Sequence, residues 1–166
     1  LEPLALAYAF DAGEDGDILR FRPRGGLPVI ELDEDALVLA DGVPPYRLVR
    51  AQETELPREV ALGFTDIGAD YRRSTATSRR LVGGATRRSQ AQLAVVTNDT
   101  AAERRAEIWL QDLWTGREAA DFTLPPSLLS VATGDVLALT AGGRRRLLEV
   151  KQIVDTASRR VQARSE

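Results

Sequence analysis

The sequence predicts an α+β fold that is mainly β, with small antiparallel sheets or barrels of short strands and one amphipathic helix packed on the sheet. Three observations carry this. Apolar and polar residues alternate over short runs punctuated by Gly, Pro and Asp, as in Ile18–Arg22 (ILRFR) and Glu59–Asp66 (EVALGFTD). One stretch, from about Ala101 to Thr115, instead places apolar residues at helical spacing. The last part of the chain reads as three strands joined by tight polar turns, the pattern of an antiparallel meander.

Leu4–Phe10 (LALAYAF) alternates loosely and leads into the acidic turn Asp11–Asp17 (DAGEDGD). With Ile18–Arg22 beyond the turn, this reads as a hairpin. The acids of the turn superficially resemble a calcium loop. The EF-hand pattern also needs a closing Glu and flanking helices, so a solvated acidic turn is the reading. Pro23–Pro28 (PRGGLP) breaks the pattern, and Val29–Leu32 (VIEL) opens the next extended piece. Asp33–Ala40 fits a short helix or a strand. Asp41–Tyr46 (DGVPPY) is a clear break, since paired prolines lack donors and restrict the residue before them. It is the expected boundary between an N-terminal hairpin subregion, residues 1–46, and a barrel-like domain, residues 47–166, the two together possible as one composite domain.

Arg47–Ala51 and Glu59–Asp66 read as strands, the second with Val60, Leu62 and Phe64 on one face. After a turn at Ile67–Asp70, the stretch Tyr71–Arg88 carries three Arg pairs among Ser, Thr, Ala and Gly: Arg72 and Arg73, Arg79 and Arg80, Arg87 and Arg88. With few apolar anchors it reads as a long excursion from the core, mobile until a partner orders it. Gln92–Val96 is a strand. In the helix, Thr100 and Glu103 form a capping box, Ala102, Ala106, Trp109, Leu110 and Leu113 form the apolar stripe, and Gly116 sits at the C-terminal cap. Trp109 and Leu113 are therefore expected to be buried against the C-terminal strands. The pair Trp109 and Trp114 reads as packing in preference to a stacking platform. Glu118–Leu124, Val136–Thr140, Arg144–Val154 and Arg159–Arg164 complete the strands, separated by Pro125–Pro126, Ala141–Gly143 and Asp155–Ser158.

Composition excludes more than it selects. With 43% apolar residues the chain can bury a core. It contains no Cys and no His, which removes disulfides, thiolate metal sites, the commonest general base and every His-dependent triad. Ser74, Ser78 and Ser89 consequently have no His to activate them, and neither Gly83–Gly84 nor Gly142–Gly143 has phosphate-loop spacing. A pair of acids could still serve a glycosidase, but such sites usually add aromatic platforms, and only 5% of the chain is aromatic. The expectation is a non-enzyme with no catalytic residues, cofactor or metal. No apolar run reaches the length that spans a bilayer, and no basic region precedes Leu4–Phe10 as in a signal peptide. The chain starts at Leu1 and lacks Met, which reads as a piece excised from a longer protein.

Net charge is −3, which argues against a generic nucleic-acid binder. All 22 bases but Lys151 are Arg, as a GC-rich coding genome or a preference for bidentate interface pairs would give. The Arg pairs fit an acidic neighbouring subunit, simple solvation, or DNA phosphates, with nearby acids and missing Lys weakening the last. Arg72, Arg73, Arg79, Arg80, Arg87 and Arg88 are the candidate assembly surface.

From Leu48 to Val154 the chain resembles the hub or baseplate tail proteins of siphophages and gene transfer agents, the putative phage tail protein family. Four segments carry the resemblance in order: LPREVALGFTDIGADYRRSTATSRR, the helix AAERRAEIWLQDLWTGRE, FTLPPSLLSVATGDVLAL, and the strand RRRLLEVKQIVD. Upstream, GDILRFRPRGG also resembles the preceding piece in gene-transfer-agent members. The resemblance implies β-barrel-like domains arranged about a central channel in an oligomeric ring, typically a trimer, that contacts neighbouring tail proteins. DNA is then only passing cargo, and an acidic balance suits a lumen that must not grip phosphates. It implies a place in a virion tail or tail-like particle assembled in the bacterial cytoplasm. Some members carry a glycosidase-like barrel elsewhere, and nothing here corresponds to it. The alternative is a carbohydrate- or receptor-binding module of the tail tip, which would need exposed aromatics in a groove.

Overall fold

A computed structural model describes residues 2–15, 18–39, 44–81, 83–156 and 158–166, the side chains of residues 14 and 15 excepted. In chain order the elements are helix α1 (Glu2–Tyr8), strands β1 (Phe10–Asp15), β2 (Ile18–Pro23), β3 (Ile30–Asp33), β4 (Tyr46–Arg50), β5 (Pro57–Asp66), β6 (Arg72–Arg79) and β7 (Arg87–Thr97), helix α2 (Asp99–Thr115), and strands β8 (Glu118–Leu124), β9 (Val136–Ala141), β10 (Arg144–Asp155) and β11 (Arg159–Ser165). The chain is therefore α+β and mainly β.

The described residues form two compact units, each drawn from two stretches of chain: residues 2–10 with 51–115, and residues 11–50 with 116–166. The second unit takes strands from both ends of the chain. The proline break expected at residues 41–46 lies partly outside the described residues, as do the tip of the acidic turn and Ala40.

The first unit is a three-stranded sheet in the order β6-β5-β7, β5 antiparallel to β6 and parallel to β7, with both helices packed on it. Val60, Leu62 and Phe64 of β5 are fully buried on the helix side. Against them α2 presents Ala102, Ala106, Leu110 and Trp114, a single ridge of i, i+4 neighbours. The two alanines let the helix backbone approach the sheet. Three expectations are corrected here. Leu4–Phe10 is mostly helical rather than extended, with Ala7 in the core. The helix is capped by Asn98, whose side chain accepts from Ala101 N at 2.9 Å, in place of a Thr100 cap. Trp114 is the deeply buried tryptophan, whereas Trp109 and Leu113 are half-buried at the flanks of the ridge, and the partner sheet is β5–β7 rather than the C-terminal strands.

The stretch Tyr71–Arg88 is no excursion. Its first half is β6, paired with β5 over its whole length, and Ala76 and Ala85 lie in the core. Alternation of Ala76 with Thr75 and Thr77 is an edge-strand pattern written in residues too small to register as hydrophobic.

The second unit holds a six-stranded sheet in the order β3-β9-β10-β11-β8-β4, antiparallel except for β3 beside β9, and a separate two-stranded hairpin, β1-β2. Phe122, Leu124, Leu137, Leu139, Leu148, Val150 and Val161 form its core. The expected barrel is corrected to an open sheet: β3 and β4 are edge strands and do not pair with each other among the described residues. The turn from β9 to β10 is Gly142–Gly143, both with positive φ (57° and 71°), which matches the right-handed twist of a tight hairpin. A bulge at Lys151 shifts the register between β10 and β11.

Candidate functional site

The six candidate arginines sit on the first unit, but not in one patch. Arg72 and Arg73 open β6, and Arg79 closes it. At the usual rise these ends stand about 23 Å apart. Register then places Glu59 of β5 between Arg79 on one side and Arg88 on the other, on the sheet face opposite Val60, Leu62 and Phe64. Arg79 donates to Glu59 Oε2 from Nε at 2.9 Å and from Nη2 at 2.5 Å, and Arg88 Nε stands 3.1 Å from Oε1. The hydrogen bonds from Arg79, helped by the charges of Arg88 and Arg58, hold the Glu59 carboxyl below the usual range.

Arg80 and Arg87 complete this end. The Arg80 guanidinium lies 4.1 Å from the Trp114 ring centroid, and the indole Nε1 donates to Pro57 O at 2.9 Å. Arg87 Nη1 reaches Glu55 O at 3.4 Å. Four candidates are thus brought together with partners inside the chain. Arg72 and Arg73 make no ion pair among the described residues, and both are exposed.

Sequence reading missed the face these residues frame. Ala61 and Gly63 of β5 lie between Thr77 and Thr75 of β6 and Gln90 and Gln92 of β7, and Thr65 lies between Arg73 and Val96. Gln92 folds over Gly63 so closely that a Cβ there would stand 2.3 Å from its Oε1. A shallow hollow of about 350 Å³, lined by Gly63, Thr75, Arg88, Gln90 and Gln92 among others, marks the face. Its lining contains no aromatic ring and no carboxylate. The only sequence signal was the Ala-x-Gly-x-Thr spacing inside β5, which required the register to interpret. Among the described residues no group of three or more acids is placed to hold a metal ion.

Residues 1–153 match the family model Phage-tail_3, described as putative phage tail protein. The chain belongs to this family. No curated protein sequence matches it. Among solved structures, it is similar to a chain in the virion of a native gene transfer agent particle, with 26% identity, a TM-score of 0.91, and coverage of 99% of this chain and 38% of that one. It shares its fold with the 43 kDa tail protein of prophage MuSo2 from Shewanella oneidensis, at 15% identity, a TM-score of 0.60, and coverage of 99% and 52%. The tail protein from Neisseria meningitidis MC58 is similar at 11% identity, a TM-score of 0.59, and coverage of 97% and 52%. The chain thus spans about half or less of the length of these relatives. The segments from Leu48 to Val154 that carried the resemblance fall almost wholly within the family match.

Proposed function

We propose that this family member is a structural domain of a tail tip, a hub piece that packs with copies of itself and neighbouring tail proteins around the passage taken by DNA. The observation that carries the reading is the likeness, over 99% of the chain at a TM-score of 0.91, to a chain of a gene transfer agent virion. A trimeric ring and a place in a virion tail or tail-like particle, assembled in the bacterial cytoplasm, extend that reading. DNA passes as cargo, and the domain carries no catalysis of its own.

Within this reading, Arg72 and Arg73 are, of the six candidates, the two left for a neighbour, because Arg79 and Arg88 are already committed to Glu59. Guanidinium groups that make no ion pair within the chain can pair bidentately across an interface at little cost to the fold. The test is Arg72→Glu with Arg73→Glu in the full-length protein, produced with its tail partners. The expected result is a folded protein that fails to enter tails visible by electron microscopy. Normal tails at normal yield would remove Arg72 and Arg73 from the interface. A full-length protein that stays outside purified particles altogether would refute the tail-tip role.

A further inference from the structure

We infer that the β1–β2 hairpin is an arm latched to the six-stranded sheet by ion pairs, built to come away from that sheet without unfolding it. This goes beyond the assembly reading and does not depend on it.

Four observations carry the inference. First, no described residue from 11 to 29 belongs to the apolar core of its unit. Leu19 and Phe21, the largest apolar side chains on one face of β2, are 51% and 54% exposed. The alternate face carries Arg20 and Arg22, which line the space between hairpin and sheet. The ribbon is therefore inverted relative to an ordinary sheet, with its charges inward.

Second, the hairpin forms its own two-stranded sheet, separate from the six-stranded ladder. A lone two-stranded hairpin is marginal in water, so its order must come from what holds it down.

Third, ion pairs tie it to the sheet among the described residues. Arg22 Nη1 donates to Asp135 Oδ1, and Lys151 Nζ lies 3.5 Å from Asp11 Oδ2. At the base of the hairpin Arg24 grips both oxygens of Asp11 at 2.8 and 3.0 Å. On the sheet side, Lys151 also pairs with the buried Glu149 at 2.6 Å, and Asp135 accepts from Ala132 N at 2.7 Å. The bulge that puts an extra residue at Lys151 gives the sheet its half of the latch.

Fourth, the space between the two is incompletely filled. Cavities of about 190 and 100 Å³ lie there, sharing Asp11, Arg22, Gly134 and Glu149 in their walls. Each has room for several waters, at about 30 Å³ apiece, and the larger sets charged groups among walls that include Pro23, Leu27, Val29 and Val136. Ion pairs across an incompletely filled gap part at lower cost than a close-packed apolar seam, and Gly25, at φ +82°, gives the chain a turning point at the base.

The test is hydrogen exchange on the full chain, comparing wild type with the triple variant Asp11→Asn, Arg22→Gln, Asp135→Asn. Removing the charges of Arg22 and Asp135 together leaves neither orphaned. The amide introduced by Asp135→Asn keeps an oxygen for Ala132 N, and Lys151 keeps Glu149. The expected result is a loss of amide protection of about tenfold or more in β1 and β2, with β9 and β10 unchanged. Wild type taken from low to molar salt should move in the same direction by a smaller factor, because half-buried pairs are partly screened. Unchanged protection in β1 and β2 of the triple variant would overturn the latch. So would a loss shared equally by β9 and β10, which would make the hairpin part of one cooperative core.

Discussion

The two tryptophans of α2 differ by five residues and by their depth, and that difference can be measured. Trp114 is 6% exposed, its indole N–H is satisfied by Pro57 O, and Arg80 covers its ring. Trp114→Ala removes a full aromatic payload under a closed roof, at a cost of about 3–5 kcal/mol. Part of that is the orphaned Pro57 carbonyl, which Trp114→Phe isolates at about 1–2 kcal/mol. Trp109 is only half-buried. Trp109→Ala forfeits about half of its transfer term and leaves no closed cavity, so about 1–2 kcal/mol. With a urea slope of about 1–3 kcal/mol per molar, Trp114→Ala should move the midpoint down by about 1 M or more beyond Trp109→Ala. Far-UV circular dichroism serves as the probe, since fluorescence would lose its own reporter. A midpoint for Trp109→Ala equal to or below that of Trp114→Ala would refute the facing of the helix.

Two charge predictions follow from the same packing. Burial raises the Glu149 carboxyl above its usual range despite Lys151, whereas at Asp11 the hydrogen bonds from Arg24 and the charge of Lys151 outweigh burial and lower it. Raised Glu149 favours the fold as pH falls, and lowered Asp11 opposes it, its contribution being lost as pH drops through its folded value. Glu149→Gln should therefore raise the thermal midpoint at neutral pH, by an amount that shrinks as pH approaches the ordinary carboxylate range, read by thermal scans across pH. Arg79→Gln should return the Glu59 titration most of the way to its ordinary value, and Arg88→Gln should do so by less, both followed by carboxyl NMR.

Strand identity was legible where side chains were large enough to mark a face. Val60, Leu62 and Phe64 announced β5, and the meander from Val136 onward was readable because Leu, Val and Gly–Gly turns alternate cleanly. Legibility failed mostly where alanine carried the burial, although the helix stripe did include Ala102 and Ala106. Ala7, Ala76, Ala85, Ala102 and Ala106 are all in the core of the first unit. An alanine contributes little to a hydrophobic pattern, yet it sets how closely two backbones approach. A strand built on Ala76 therefore read as a loop, and a helix ridge built on Ala102 and Ala106 was assigned to the wrong tryptophan. Small residues are where register, not composition, decides burial.

The same logic separates the arginines. A sequence records six guanidinium groups in three identical-looking pairs, and nothing local distinguishes them. The distinction is supplied by Glu59, twenty residues before Arg79 and twenty-nine before Arg88, which the sheet inserts between the two. An Arg whose charge is met inside the chain stabilises the monomer and offers a partner only its remaining donors. An Arg on a strand edge that makes no ion pair among the described residues keeps its hydrogen-bonding capacity for a neighbour, and the strand has already met the backbone share of the entropic cost of positioning it.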